Sequence, residues 1–188
     1  MTVEIIYFVH GTTRDNENNR ATGQAPGELS ELGVKQASEL GEKVDEEFDA
    51  VYCSDLRRAV RSANLAFGDK YEIIEDERLR ECDYGKKTQE EFDWDLKDYI
   101  EESHPSGENY IEVQQRIKDF LKFLRDEHNG EKVAIVAHQA PQLAIEVITE
   151  NKSWEEVIEQ DWREVGEWQP GWHYELKDNN SAWEMEIK

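Results

Sequence analysis

The sequence predicts an α/β fold, a three-layer αβα sandwich around a mostly parallel central sheet. Two observations predict it. Apolar runs of strand length recur at residues 5–9, 50–53, 71–74 and 133–137, and segments with helical spacing of apolar residues lie between them. Strands that alternate with helices form a parallel sheet with both faces covered. The length of 188 residues suits one well-packed domain and is short for two. No repeat, linker or low-complexity tract divides the chain. We therefore expect a single domain over residues 1–188, with a short acidic insert at about 86–106 and a Trp-rich segment over 151–188.

Each element has its own signal. The first strand, VEIIYFV at residues 3–9, ends abruptly in His10-Gly11. Ser30 can cap a helix in which Leu32, Ala37, Leu40, Val44 and Phe48 recur at mostly three- and four-residue steps. After the strand at 50–53, Asp55 can cap a second helix, with Leu56, Ala59, Val60, Ala63 and Phe67 on one face. The short apolar run at 71–74 gives the next strand. Ile111, Val113, Ile117, Phe120, Leu121 and Leu124 mark a third helix, closed near Asn129-Gly130. A fourth helix follows the strand at 133–137, over 141–149. The tail holds five of the six tryptophans and is expected to wrap the core with strands at 172–176 and 183–187. The alternative use of those aromatics is a homodimer interface.

Net charge is −22, from 44 acidic and 22 basic residues, and 37% of residues are apolar. High charge with low hydropathy is also the composition of disordered chains. The regular apolar runs and six tryptophans point instead to a folded protein with a very acidic surface. Such a surface repels nucleic acid and anionic membrane, so neither is expected as a partner. It suits concentrated salt, where self-repulsion is screened, and a halophilic protein is expected; the alternative is an ordinary acidic one. Cys53 and Cys82 are the only cysteines. With no signal-peptide pattern and no apolar span of membrane length, a cytoplasmic protein with reduced thiols is expected. A single disulfide stays open at this level.

In an open parallel sheet, ligands bind beyond the carboxyl ends of the strands. His10 directly follows the first strand and His138 directly follows VAIVA, so two of five histidines fall at one edge of one sheet. A lone histidine after a strand is usually a loop residue. Two that each close an apolar strand point to a site. At a third strand end, VYCSDLRRA places Arg57 and Arg58 at the start of a helix, where amide groups and a guanidinium form an anion site. The plain alternative, two solvated arginines, fits Arg57 better than Arg58. RLRECDYG brings Glu81 soon after the strand at 71–74, which by itself carries no weight.

The order of these parts resembles the histidine phosphatase superfamily, in its phosphoglycerate-mutase-like branch. That family opens with a strand and then Arg-His-Gly-x-Thr/Ser-x-x-Asn; this chain reads Val9-His10-Gly11-Thr12-Thr13-Arg14-Asp15-Asn16. LSELGVKQASELG is similar to the family's Leu-Thr/Ser-x-x-Gly-x-x-Gln-Ala helix, and SDLRRA to its Ser-x-Leu-x-Arg-Ala, with Arg58 as the family arginine. LRECDYG resembles Leu-x-Glu-x-x-x-Gly, PSGEN the Gly-Glu-Ser segment, and VAIVAHQA the strand with the second histidine. Each motif is short, but their joint order over about residues 3–149 is specific. Two positions depart from the pattern. Val9 replaces the arginine that contacts phosphate, and Gln139 stands where glycine is commoner, although His-Gln-Ala occurs in some members. The lid segment between Gly85 and Gly107 is short and carries Glu90, Glu91, Asp93, Asp95, Asp98, Glu101 and Glu102, most simply a solvated face.

The resemblance implies a phosphoglycerate-mutase-like fold and a phosphomonoester hydrolase that acts through a phosphohistidine on a small phosphorylated metabolite. His10 is the implied nucleophile, since a neutral imidazole is available near pH 7. Arg58 and His138 are implied to stabilise the transferring phosphoryl group, with Thr13, Asn16 and Gln139 among its contacts. Gly11 is expected to permit a close backbone turn at the phosphate. Glu81 would protonate the leaving oxygen and then help to activate water. Family members need no metal, no metal-ligand spacing appears, and no cofactor is expected. Arg14, four residues past His10, is the expected replacement for the arginine missing at position 9, with Arg20 the weaker candidate. Two alternatives stand: a non-catalytic phosphate-binding regulatory member, favoured by Val9, and a mutase. The chain lacks the long insertions of the cofactor-dependent mutases, which favours a phosphatase.

Overall fold

Strand alternation puts successive side chains on opposite faces of a sheet, and the first strand, β1 (Thr2–Val9), uses both faces for burial. Ile5 and Tyr7 enter one apolar layer, while Ile6 and Phe8 enter the other. The structure, a computed structural model, describes residues 2–161, 163 and 171–177. Its remaining strands are β2 (Ala50–Cys53), β3 (Ile73–Glu75), β4 (Lys132–Ala137) and β5 (Trp172–Lys177). The sheet order is β3-β2-β4-β1-β5. β5 runs antiparallel to β1 and the other pairs are parallel.

The helices are α1 (Arg14–Glu17), α2 (Glu31–Lys43), α3 (Arg57–Phe67), α4 (Tyr110–Glu127), α5 (Gln139–Glu150) and α6 (Trp154–Glu159). On one face, Leu40 from α2 and Ala63 and Phe67 from α3 pack on Ile6, Phe8, Val51 and Val136. On the other, Val113, Ile117, Phe120 and Leu124 from α4 and Leu143 and Ala144 from α5 cover Ile5, Tyr7, Val133 and Ile135. This is the expected three-layer sandwich. Among the described residues, no helix is long and apolar enough to cross a membrane. Cys53 and Cys82 are buried free thiols, and burial pushes the Cys53 thiol up to about 12.

Local chemistry sets several boundaries differently from the sequence pattern. Ser30 does cap α2, its Oγ accepting from the Gly33 N–H at 3.2 Å. The helix stops at Lys43, however, and Phe48 reaches the core from the loop beyond. Leu32 is 50% exposed, because Gly33 takes the inward position. A Cβ on Gly33 would lie 1.9 Å from the Thr12 carbonyl oxygen, so only glycine lets the two backbones meet. Asp55 does not cap α3. Its carboxylate is held by Arg80, Leu56 is the cap residue, and the Ser54 Oγ accepts the Leu56 N–H. In the tail, β5 appears as expected and Trp154 stacks on Tyr110. The strand expected at 183–187 lies outside the described residues.

The insert at 86–106 folds back over the loop that follows β1. Ala21 N–H donates to Glu90 O at 3.0 Å, Gln89 N–H to Ala21 O at 2.6 Å and Phe92 N–H to Asn19 O at 2.9 Å. Along 91–96, exposed acidic residues alternate with half-buried Phe92, Trp94 and Leu96. All seven acidic residues of the insert are exposed, and of these only Asp95 lines the cleft described next.

Candidate active site

Register decides where the two histidines fall. Val9 pairs with Ala137 across β1 and β4, and the His10 N–H donates to the Ala137 carbonyl at 3.0 Å. His10 and His138 therefore leave the sheet side by side, with ring centroids 5.0 Å apart. His10 lines a cleft of about 880 Å³ beyond the carboxyl ends of the strands, together with Arg58, Glu81 and Gln139, while His138 is buried behind it and is not among the lining residues.

The hydrogen bonds fix the tautomer of His10. Its Nδ1 lies 2.7 Å from the Gly11 carbonyl oxygen, which can only accept, so Nδ1 carries the proton. Its Nε2 accepts from Arg58 Nε–H at 3.2 Å, so that nitrogen holds the lone pair. Burial, then the Arg58 charge, lower the His10 pKa to about 3, against the opposing Gly11 bond; Arg163 lowers it further. The ring is thus neutral at pH 7, with its basic nitrogen pointing at a guanidinium. Arg58 is 2% exposed and is anchored by NH1 to Ala25 O at 3.1 Å and NH2 to Gly23 O at 2.7 Å.

His138 is wholly buried, and neither ring nitrogen has a protein hydrogen-bond partner among the described residues. Buried polar atoms are rarely left so, and here both belong to one ring beside His10. Burial, followed by the charge of Arg58, keeps its pKa well below the ordinary histidine value. Its backbone is clamped by Tyr7, whose hydroxyl donates to His138 O at 2.7 Å and accepts from His138 N–H at 3.0 Å. Glu81 sits against the N-terminus of α5. Its Oε1 accepts from Cys82 N–H at 2.8 Å and Ala140 N–H at 3.1 Å, and its Oε2 from Gln139 N–H at 3.1 Å. Helix N-termini favour such acceptors.

Other predicted residues take different places. Gly11 does not line the cleft. Its N–H donates to Ser62 Oγ at 3.1 Å, and a Cβ there would lie 2.3 Å from Gly33 O, so the crossing with α2 requires glycine. Thr13 is buried as the cap of α1. Its Oγ1 accepts the Asn16 N–H at 3.0 Å and donates to Asn16 Oδ1 at 2.8 Å, which withdraws it from the cleft. Asn16 does line the cleft, although its Oδ1 belongs to that cap. Arg14 is the correction of most consequence. As the first residue of α1 it is exposed and lies outside the cleft, while Arg20 lines it. Among the described residues no group of three metal-ligating side chains occurs.

The pattern that defines the histidine phosphatase superfamily (branch 1) matches residues 6–148. The chain belongs to that superfamily. It is 30% identical over 156 residues to phosphoserine phosphatase 1 of Hydrogenobacter thermophilus, covering 76% of this chain and 74% of that one. It is 30% identical over 151 residues to a metal-independent phosphoserine phosphatase of Arabidopsis thaliana, covering 72% of this chain and 63% of that enzyme. Among solved structures it is similar to Bacillus stearothermophilus YhfR, with a TM-score of 0.72, 28% identity and coverage of 82% and 83% of the two chains.

Four further residues belong to this phosphatase site and fall outside the sequence motifs. Tyr7 reads as part of the apolar strand, yet a hydroxyl on a buried face needs a partner, and that is the available signal. Arg116 ties the backbone before and at Glu81, donating to Arg78 O at 2.6 Å and Glu81 O at 3.1 Å. Arg163 and Asp161 enter the cleft from the tail, and no local motif announces them.

Proposed function

We propose that this histidine phosphatase hydrolyses a small phosphomonoester in two steps, with His10 as the phosphoryl carrier. The neutral His10, its Nε2 lone pair fixed beside Arg58, is the observation that carries the reading. Nε2 attacks phosphorus and the bond from phosphorus to the ester oxygen breaks. Arg58 and the His138 ring meet the charge on the phosphoryl oxygens. A carboxyl group has about four lone-pair sites, and backbone N–H groups take three of those on Glu81. The fourth can carry the proton that goes to the leaving oxygen. In the second step Glu81 takes a proton from water, the oxygen of that water attacks the phosphohistidine, and phosphate is released.

Phosphoserine is the first substrate to test. Two relatives bear the name phosphoserine phosphatase. The exposed carboxylate of Asp95 lines the cleft and suits an ammonium group, whereas Glu159 nearby is already bound to Lys97 at 2.6 Å. Phe92, Trp94, Leu96 and Ile158 supply apolar wall for the carbon skeleton. A panel of phosphoserine, sugar phosphates and nucleoside monophosphates in molar KCl tests this by release of inorganic phosphate. Hydrolysis by the native chain and its loss in Glu81→Gln is the expected result. If no ester releases phosphate, or if the phosphoryl group passes only to a second alcohol, the phosphatase assignment gives way to the regulatory or the mutase alternative.

A further inference from the structure

Position 9 lacks the arginine of the family pattern, and position 139 lacks its usual glycine. The structure connects the two. Val9 lines the cleft beside His10. Among the described residues, four cations line the same cleft: Arg20, Arg58, Lys97 and Arg163. Arg58 already serves His10, Lys97 pairs with an exposed Glu159, and Arg20 is exposed on its loop. Arg163 is different, with a side chain only 24% exposed and NH1 2.7 Å from Asp161 Oδ1. Asp161 is 5% exposed and its other oxygen accepts from the Gln139 side chain. Gln139 directly follows His138, and its own N–H binds Glu81. A glycine at 139 has no side chain to make this connection.

We infer that Arg163, oriented through Asp161 and Gln139, is the phosphate-binding cation that replaces the family arginine absent at Val9. The inference rests on the phosphatase reading above. A guanidinium held in place by a carboxylate is a fit partner for phosphate oxygens. Its charge reaches the nucleophile, since Arg163 is among the groups that lower the His10 pKa, after burial and Arg58. A valine at position 9 is consistent with this, because an arginine there would add a further guanidinium to a cleft already lined by Arg58 and Arg163.

Binding of inorganic phosphate by titration calorimetry separates this inference from the phosphatase reading, because it needs no turnover. Arg163→Met is expected to weaken phosphate binding at least about tenfold and to lower kcat/KM by roughly 100- to 1000-fold, the usual loss for one such donor. Arg163→Lys should recover part of both. Val9→Arg combined with Arg163→Met should recover at least about tenfold over Arg163→Met, while Val9→Arg alone should bring no gain. A merely structural Arg163 would lower the thermal midpoint and would not be rescued from position 9. Phosphate binding by Arg163→Met within about twofold of the native chain overturns the inference, as does a double variant no better than the single one. Should Arg163→Met not fold, the same comparison with Arg163→Gln decides, and phosphate binding within about twofold of the native chain there overturns it. Loss of the phosphatase reading shows separately, as native protein that binds phosphate and hydrolyses no ester.

Discussion

Replacing Tyr7 with phenylalanine removes one oxygen from the wholly buried centre of β1 and tests how the second histidine is held. That oxygen donates to His138 O at 2.7 Å and accepts from His138 N–H at 3.0 Å. Burial raises the Tyr7 pKa well above the ordinary tyrosine value, so the phenol keeps the proton it donates at any working pH. In Tyr7→Phe the His138 carbonyl retains the Gln142 N–H at 3.3 Å, but the His138 N–H is left buried without a partner. One unsatisfied buried donor costs about 1–3 kcal/mol, and loss of the second bond adds up to about 1. With a urea slope of about 2 kcal/mol/M, the midpoint should fall by roughly 1 M. The first turn of α5 also loses its tether, so kcat should fall more than KM rises. Equilibrium urea unfolding followed by tryptophan fluorescence, with steady-state kinetics on the same samples, gives both readings. An unfolding midpoint and kcat equal to those of the native chain would refute the argument that this hydroxyl positions His138.

Three further expectations follow from particular groups. Gly33→Ala forces a Cβ to within 1.9 Å of Thr12 O; the backbone must shift at a cost of about 3 kcal/mol, or roughly 6–12 °C in Tm, and an unchanged melt contradicts the contact. The pKa values of His10 and His104 are lowered to about 3 and about 4, with burial the largest cause in each, and that of His138 lies well below its ordinary value. The unfolded chain therefore binds these protons first as pH falls, so their contribution is intact above about pH 6.5 and is lost below it, each adding up to about 1.4 kcal/mol per pH unit to the slope; equal urea midpoints at pH 7 and pH 5 would contradict this. The net charge of −22 predicts a thermal midpoint that rises from low to molar KCl as self-repulsion is screened, and a flat curve would remove the halophilic expectation.

The layers and the sheet edge were legible because they rest on periodicity. Alternation along β1 and the apolar run before His138 suffice to place two histidines together, without knowledge of any distant contact. What could not be read depends on residues far apart in sequence. Asp55 looks like a helix cap until Arg80 arrives to hold it. Arg14 looks like a phosphate ligand by its distance from His10, yet the Thr13 capping box starts a helix that leaves it exposed and outside the cleft. Gly11 looks like a ligand glycine, yet its constraint is the backbone of Gly33. Arg163 lies 153 residues beyond His10 in the chain, so only the folded structure brings it into the cleft. For Asp55, Arg14 and Gly11 a local motif was legible and the partner that determined its use was not; for Arg163 there was no motif to read.

The central claim is that His10 Nε2 accepts the phosphoryl group. Rapid acid-free denaturation of the protein during turnover of a ³²P-labelled ester, followed by peptide mapping, tests it most directly. The expected result is an alkali-stable, acid-labile label on the peptide that contains His10, absent from His10→Ala and present at higher occupancy in variants slowed in the second step. Label on His138, or turnover that persists in His10→Ala, would contradict it.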